Sequence, residues 1–181
     1  ERFIRLLASC PALLNVWEDI DFIDVPGKLI PEWLGVRNRP SASAAHRYTI
    51  DRHMVEVVTR LGRETPSGGR YDDRHYEALL LAGILHDIGK RPGVANHAAE
   101  GARHATVVVE RMGFDRDIVR WVTLLVREHL TLSEFATGRN PNDPNVGDDL
   151  AGRLDHNPVL LDMLFDLTRA DGSSLGATSG E

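Results

Sequence analysis

The stretch Ala78–Leu85 is almost wholly apolar, and it runs directly into an adjacent histidine and aspartate, His86-Asp87. Its pattern predicts the most apolar helix of the chain, from about Asp73 to Ile88, with Gly89 ending it. An ionisable pair is thereby carried into the interior. A buried carboxylate without a partner costs several kcal/mol, so the fold must bring compensating charge to Asp87.

Other helices offer candidates for that charge. A helix is predicted from Ile50 to about Gly62 behind Thr49 as N-cap, with Ile50, Met54, Val57, Val58 and Leu61 on one face. His53 lies three after Ile50 and four before Val57, on that same face. Residues Asp115–His129 form a further amphipathic helix, in which His129 follows Leu125 by four. Asp171 follows Leu167 by four, beyond a last helix predicted over Pro158–Ala170. Separate helices therefore each point a His or Asp inward near one end. One inward histidine is ordinarily a hydrogen-bonded core residue, and one Asp at a helix end is ordinarily a cap. An adjacent His-Asp pair converging with His53, His129 and Asp171 fits a divalent cation better; mixed His/Asp ligation suits Mn, Fe, Zn or Mg.

The remaining pattern is helical too. Glu1–Leu14 suggests a helix weakened by Pro11, and prolines 26, 31 and 40 break Asp19–Pro40 into turns and a linker that Trp33 and Leu34 would pin to the core. A helix is expected from about Asn96 to Met112, stopped by Gly113, and Thr137–Gly147 reads as an exposed loop. The expected architecture is an all-α bundle of non-parallel helices with no significant sheet.

No apolar stretch approaches the ~20 residues of a membrane helix. Cys10 is the only cysteine, so no internal disulfide can form and a cytoplasmic setting is expected. The net charge of −6 argues against a nucleic-acid partner. The start at Glu1 and the small, polar tail Gly172–Glu181 suggest a domain excised from a longer protein.

Leu85-His86-Asp87-Ile88-Gly89-Lys90, with His53 upstream and Asp171 downstream, resembles the H…HD…D signature of the HD superfamily of metal-dependent phosphohydrolases. A narrower resemblance spans nearly the whole chain. His46-Arg47-Tyr48-Thr49-Ile50-Asp51-Arg52-His53, Asn96-His97 followed by Gly101, Leu125–Leu130 and Leu167–Asp171 are similar to the HD domain of bifunctional PII uridylyltransferase/uridylyl-removing enzymes. Pro31-Glu32-Trp33, Val36-Arg37 and Arg39-Pro40 resemble the segment that precedes it. Residues 1–45 would then be a lead-in packed on an HD domain of residues 46–181. There are departures: Ala95-Asn96 replaces the usual Gly-Asp, Glu128 stands where a second His or Gln is common, and Gly-Ser-Ser follows Asp171.

The resemblance implies that His53, His86, Asp87 and Asp171 hold a first metal, and that His97 and His129 serve a second across a bridging Asp87. It implies metal-assisted phosphodiester hydrolysis, releasing UMP or AMP from a nucleotidylated tyrosine of the PII signal protein. Lys90 would contact a phosphate oxygen, or be a solvated lysine favoured by a helix C-terminus. His46 would bond substrate or a ligand, or act as a cap. His104, seven after His97, could point the same way or lie behind the ligands or on the surface. Hydrolysis of free nucleotides or cyclic dinucleotides, and a non-catalytic nucleotide-sensing module, remain as alternatives.

Overall fold

The computed structural model describes residues 1–41, 48–140 and 143–174. Among these the chain is all-α, with a single isolated bridge between Pro40 and Thr49. No helix is long and apolar enough to cross a membrane.

The first predicted helix is two: α1 (Arg2–Leu7) and α2 (Leu13–Phe22), separated around Pro11, which supplies no backbone donor. The linker also contains more structure than its prolines suggested, with α3 (Val25–Leu29) and a 3-10 turn (Pro31–Gly35). Proline at a first helical turn sacrifices only a donor that lacks a partner there anyway. Trp33 is fully buried and its ring lies 5.2 Å from that of Trp17, as a pin should. Leu34 is exposed, so it does not share that role.

Four helices carry most of the core: α4 (Ile50–Glu64), α5 (Asp73–Leu85), α6 (His97–Arg111) and α7 (Arg116–Glu128). Helix α5 lies between α4 and α7, and α6 packs along α7. Every residue from Ala78 to Leu85 is buried, which is why that run has no polar face. Asp72, Asn96 and Asp115 cap α5, α6 and α7 by accepting backbone N–H bonds. Thr49 occupies the N-cap position of α4 without a side-chain bond.

The expected loop over 137–147 is helical at both ends, over 137–138 and 144–147. Helix α8 (Thr131–Gly138) and α9 (Pro144–Arg153) occupy most of it, with the Asp143 carboxylate accepting from Asn145 N–H; residues 141 and 142 lie outside the described set. Its Pro, Asn and Asp mark a helix start rather than a structureless segment. Helix α10 (Pro158–Ser174) extends past Ala170 and takes in Asp171. It packs across α4 and touches α5 and α7.

The end of α5 differs from expectation in a way that matters. The helix stops at Leu85, and His86–Gly89 form a turn held by Ile88 N–H to Leu85 O (3.0 Å) and Lys90 N–H to Asp87 O (2.9 Å). Gly89 is not a left-handed cap; positive φ among the glycines occurs at 68, 93 and 113. It is a point of close approach. A Cβ there would lie 2.3 Å from both Gly101 N and His97 O, which are backbone atoms that cannot turn aside. Gly101 faces it with its own Cβ position 3.4 Å from Gly89 N. Gly89→Ala is expected to destabilise the fold by on the order of 3 kcal/mol in urea unfolding. Gly152→Ala, with open space around it, should be neutral or stabilising by up to about 1 kcal/mol.

Candidate metal centre

Six of the side chains singled out in the sequence meet at one place. His53 comes from the first turn of α4, His86 and Asp87 from the turn after α5, and His97 from the first position of α6. His129 caps α7, and Asp171 lies in the last turn of α10. The ring centroids of His53 and His86, of His86 and His129, and of His97 and His129 are 5.3, 5.3 and 5.4 Å apart.

Asp87 sits at the centre, 3% exposed. Its Oδ2 is 3.7 Å from His86 Nε2 and 3.1 Å from Lys90 Nζ. Its Oδ1 is 3.4 Å from His97 Nε2 and 3.7 Å from His129 Nε2. Two groups able to hold an ion result, His53-His86-Asp87 and Asp87-His97-His129, and they share Asp87. Asp171 Oδ1 adjoins the first, 2.8 Å from His53 Nε2 and 3.9 Å from His86 Nε2.

Local backbone chemistry fixes which nitrogen faces inward. The Nδ1 of His86 lies 2.8 Å from Gly83 O, and that of His129 lies 2.7 Å from Val126 O. These carbonyls stand at helix C-termini, where the ladder leaves acceptors without donors, and a carbonyl can only accept. Each neutral ring therefore carries its proton on Nδ1 and turns the Nε2 lone pair toward Asp87. His53 is offered an acceptor by a side chain. Ser174 Oγ–H donates to Asp171 O (2.8 Å), leaving its oxygen to accept from His53 Nδ1–H (3.1 Å).

The outcome is a buried set of lone pairs facing carboxylate oxygens. Among the described residues His86 Nε2 and His97 Nε2 are buried with no hydrogen-bond partner, each ordinarily a penalty of about 1–3 kcal/mol. A proton or a cation must lie between His53 Nε2 and Asp171 Oδ1 at their separation. The donor set of imidazoles and carboxylates fits a divalent metal ion on these grounds.

Charge points the same way. Burial disfavours the Asp87 carboxylate, but positive charge facing it, with Lys90 Nζ 3.1 Å away, outweighs burial and holds its carboxyl well below the usual range. Asp171 is likewise held low: burial opposes ionisation, and the bond to His53 prevails. Burial, with His86 adding, pushes His129 down to about 4, and burial also lowers His97. His129 is thus neutral at neutral pH, and Lys90 is a cation in direct contact with Asp87.

Of the other candidates, His104 is not brought to the cluster; its Nε2 pairs with Glu100 Oε1 at 2.9 Å. His46 lies outside the described residues. His75 stacks on Trp121 at 4.3 Å, away from the cluster. Glu128 is buried and accepts from Thr131 (2.7 Å) and Arg153 (3.3 Å), so it braces α7 against α8 and α9. The sequence reading missed Ser174, seen there only as part of a divergent Gly-Ser-Ser. Its i+3 spacing from Asp171 was the available signal.

These protonation preferences set the acid behaviour of the metal-free protein. The folded values of His129 and His97 lie below the unfolded value, so from about pH 6.5 downward the unfolded chain binds protons the native state refuses. Stability should fall as pH drops, by up to about 1.4 kcal/mol per pH unit for each such histidine. The depressed Asp87 and Asp171 extend the loss below about pH 4. Urea unfolding of chelator-treated protein across this range should show the slope, and His129→Gln should flatten it.

No protein-family profile matches the chain. Relatives among curated proteins are bifunctional uridylyltransferase/uridylyl-removing enzymes. That of Mycobacterium tuberculosis (strain H37Rv) is 34% identical over 171 residues, covering 94% of this chain and 20% of that protein. The Streptomyces coelicolor enzyme is 36% identical over 177 residues, covering 97% and 20%. The Caulobacter vibrioides enzyme (strain NA1000) is 36% identical over 186 residues, covering 96% and 19%. The chain spans about a fifth of the length of these relatives. With its all-α bundle and its clustered His and Asp side chains, the chain is homologous over nearly its whole length to one segment of the bifunctional uridylyltransferase/uridylyl-removing enzymes, consistent with their HD domain.

Proposed function

We propose that this chain is a metal-dependent nucleotidyl-removing hydrolase, with residues 46–181 as its HD unit and the nucleotidylated tyrosine of a PII signal protein as its substrate. The observation that carries the reading is the arrangement around Asp87, whose two oxygens each face imidazole nitrogens with inward lone pairs. The relatives are named for a uridylyl-removing activity, which supports this choice among phosphate esters.

His53, His86, Asp87 and Asp171 would hold one ion, and Asp87, His97 and His129 a second. Bound divalent ions supply Lewis acidity toward phosphate oxygens and a nucleophilic water at neutral pH. The protein's own part is positional. Asp87 ties the two groups together, and the Gly83 and Val126 carbonyls hold the His86 and His129 rings in the ligating tautomer. Lys90, 3.1 Å from Asp87 Oδ2, stands where its ammonium can meet a phosphate oxygen. In the overall reaction water adds to phosphorus and the P–O bond to tyrosine breaks. UMP or AMP and free tyrosine result, with the water's proton ending on the phenol oxygen. A phenol of pKa near 10 demands less protonation on departure than an alkoxide.

Metal-loaded protein incubated with uridylylated or adenylylated PII should release the free nucleotide, and Asp87→Asn should cut the rate at least about 100-fold. Absence of release, or an unchanged rate in Asp87→Asn, would sink the assignment. Metal titration followed by elemental analysis should give two ions per chain, falling to one in His97→Ala. Ser174→Ala should weaken metal binding by about 10–100-fold through loss of the His53 Nδ1 acceptor, with Ser174→Thr restoring most of it.

A further inference from the structure

Two clefts open on either side of His97, and their chemistry differs. The first, about 540 Å³, is lined by Arg39, Pro40, Ile50, Lys90, Pro92 and Val94. Arg91 also reaches its wall, but its guanidinium is already engaged with Glu32 O at 2.6 Å. The second, about 510 Å³, is lined by Asn96, Arg127, Glu128, Thr131, Glu134 and Arg153. The first cleft presents cations and apolar surface and no carboxylate among its described lining. The second already matches its arginines with acids, as in the Glu128–Arg153 pair at 3.3 Å.

A nucleotidyl group has an anionic phosphoryl end and a flat, weakly polar base, and these requirements select the first cleft. Lys90 belongs both to its wall and to the Asp87 contact. A phosphoryl group at the candidate metal centre therefore directs its 5′-ribose into this space. Arg39 is exposed, and its side chain has no hydrogen bond or ion pair among the described residues, so it can turn onto the ligand. The rings of Pro40 and Pro92 and the side chain of Val94 offer rigid apolar surface for a base, which loses little entropy on contact. We propose that this cleft is the nucleoside subsite, receiving the ribose and base of the nucleotidyl group while the phosphoryl group lies against Asp87 and Lys90. The proposal rests on the nucleotidyl-removing reading and adds where the nucleoside is recognised.

The test uses manganese-loaded protein and calorimetric titration with UMP, ribose 5-phosphate and inorganic phosphate. UMP should bind at least about tenfold tighter than phosphate, with ribose 5-phosphate between them. Val94→Trp, at a partly exposed loop position, should erase the nucleotide's advantage while changing phosphate affinity by less than about twofold. Arg39→Ala should reduce it. Glu134→Ala, in the opposite cleft, should leave it intact. Equal binding of UMP and phosphate in the unaltered protein, or a preference that survives Val94→Trp, overturns the proposal. If none of the three binds in a metal-dependent way, both the subsite and the hydrolase reading are overturned. A nucleotide preference lost in Val94→Trp, without release from modified PII, upholds the cleft and overturns only the PII assignment.

Discussion

The Asp87 carboxylate is buried among imidazoles that turn lone pairs, not protons, toward it, and the rest of the fold is arranged around that conflict. An acid in such a place would ordinarily be neutralised by taking up a proton. Here the Lys90 ammonium, 3.1 Å from its Oδ2, favours the ionised form against the effect of burial. The His86 and His129 rings cannot relieve the tension by exchanging tautomers, because Gly83 O and Val126 O can only accept from their Nδ1 atoms. A negative centre surrounded by donors of electron density is what a divalent cation completes.

The surrounding helices serve this by their ends rather than by their middles. His53, His97, His129 and Asp171 all lie within a turn of a helix terminus, and His86-Asp87 lie just beyond one. Terminal turns carry backbone groups without partners, which side chains can then engage. The apolar length of each helix is left free for packing, as the wholly buried Ala78–Leu85 segment shows. Lead-in residues add a strap: Glu32 pairs with Arg111 on α6 (2.7 Å), and its carbonyl accepts from Arg91 just after the His86–Gly89 turn.

Helical periodicity made most of this legible in the sequence. The inward residues of α4, α7 and α10 follow apolar neighbours at three- and four-residue spacing, and the ligand candidates on those faces do converge. The pattern failed where backbone, not side chains, decides. Gly89 looked like a helix stop because glycine commonly takes a left-handed cap; its actual function is to let α6 approach, a contact between segments that periodicity cannot register. Pro144 and its neighbours read as a loop because the same residues that open a helix also fill turns. His104 shared the heptad spacing of His97, yet its ring pairs with Glu100 and not with the cluster. Ser174 escaped notice because its role depends on which way a histidine ring faces.

The Gly89–Gly101 contact has a bearing on how such a centre can evolve. Main chain against main chain is a spacing that no rotamer change can stretch or shorten, so the distance from the His86-Asp87 turn to His97 behaves as a fixed gauge. Side chains lining the neighbouring clefts can then be exchanged without resetting the separation of the two ligand groups. The ligand cluster and the walls of its clefts are, in this sense, mechanically uncoupled.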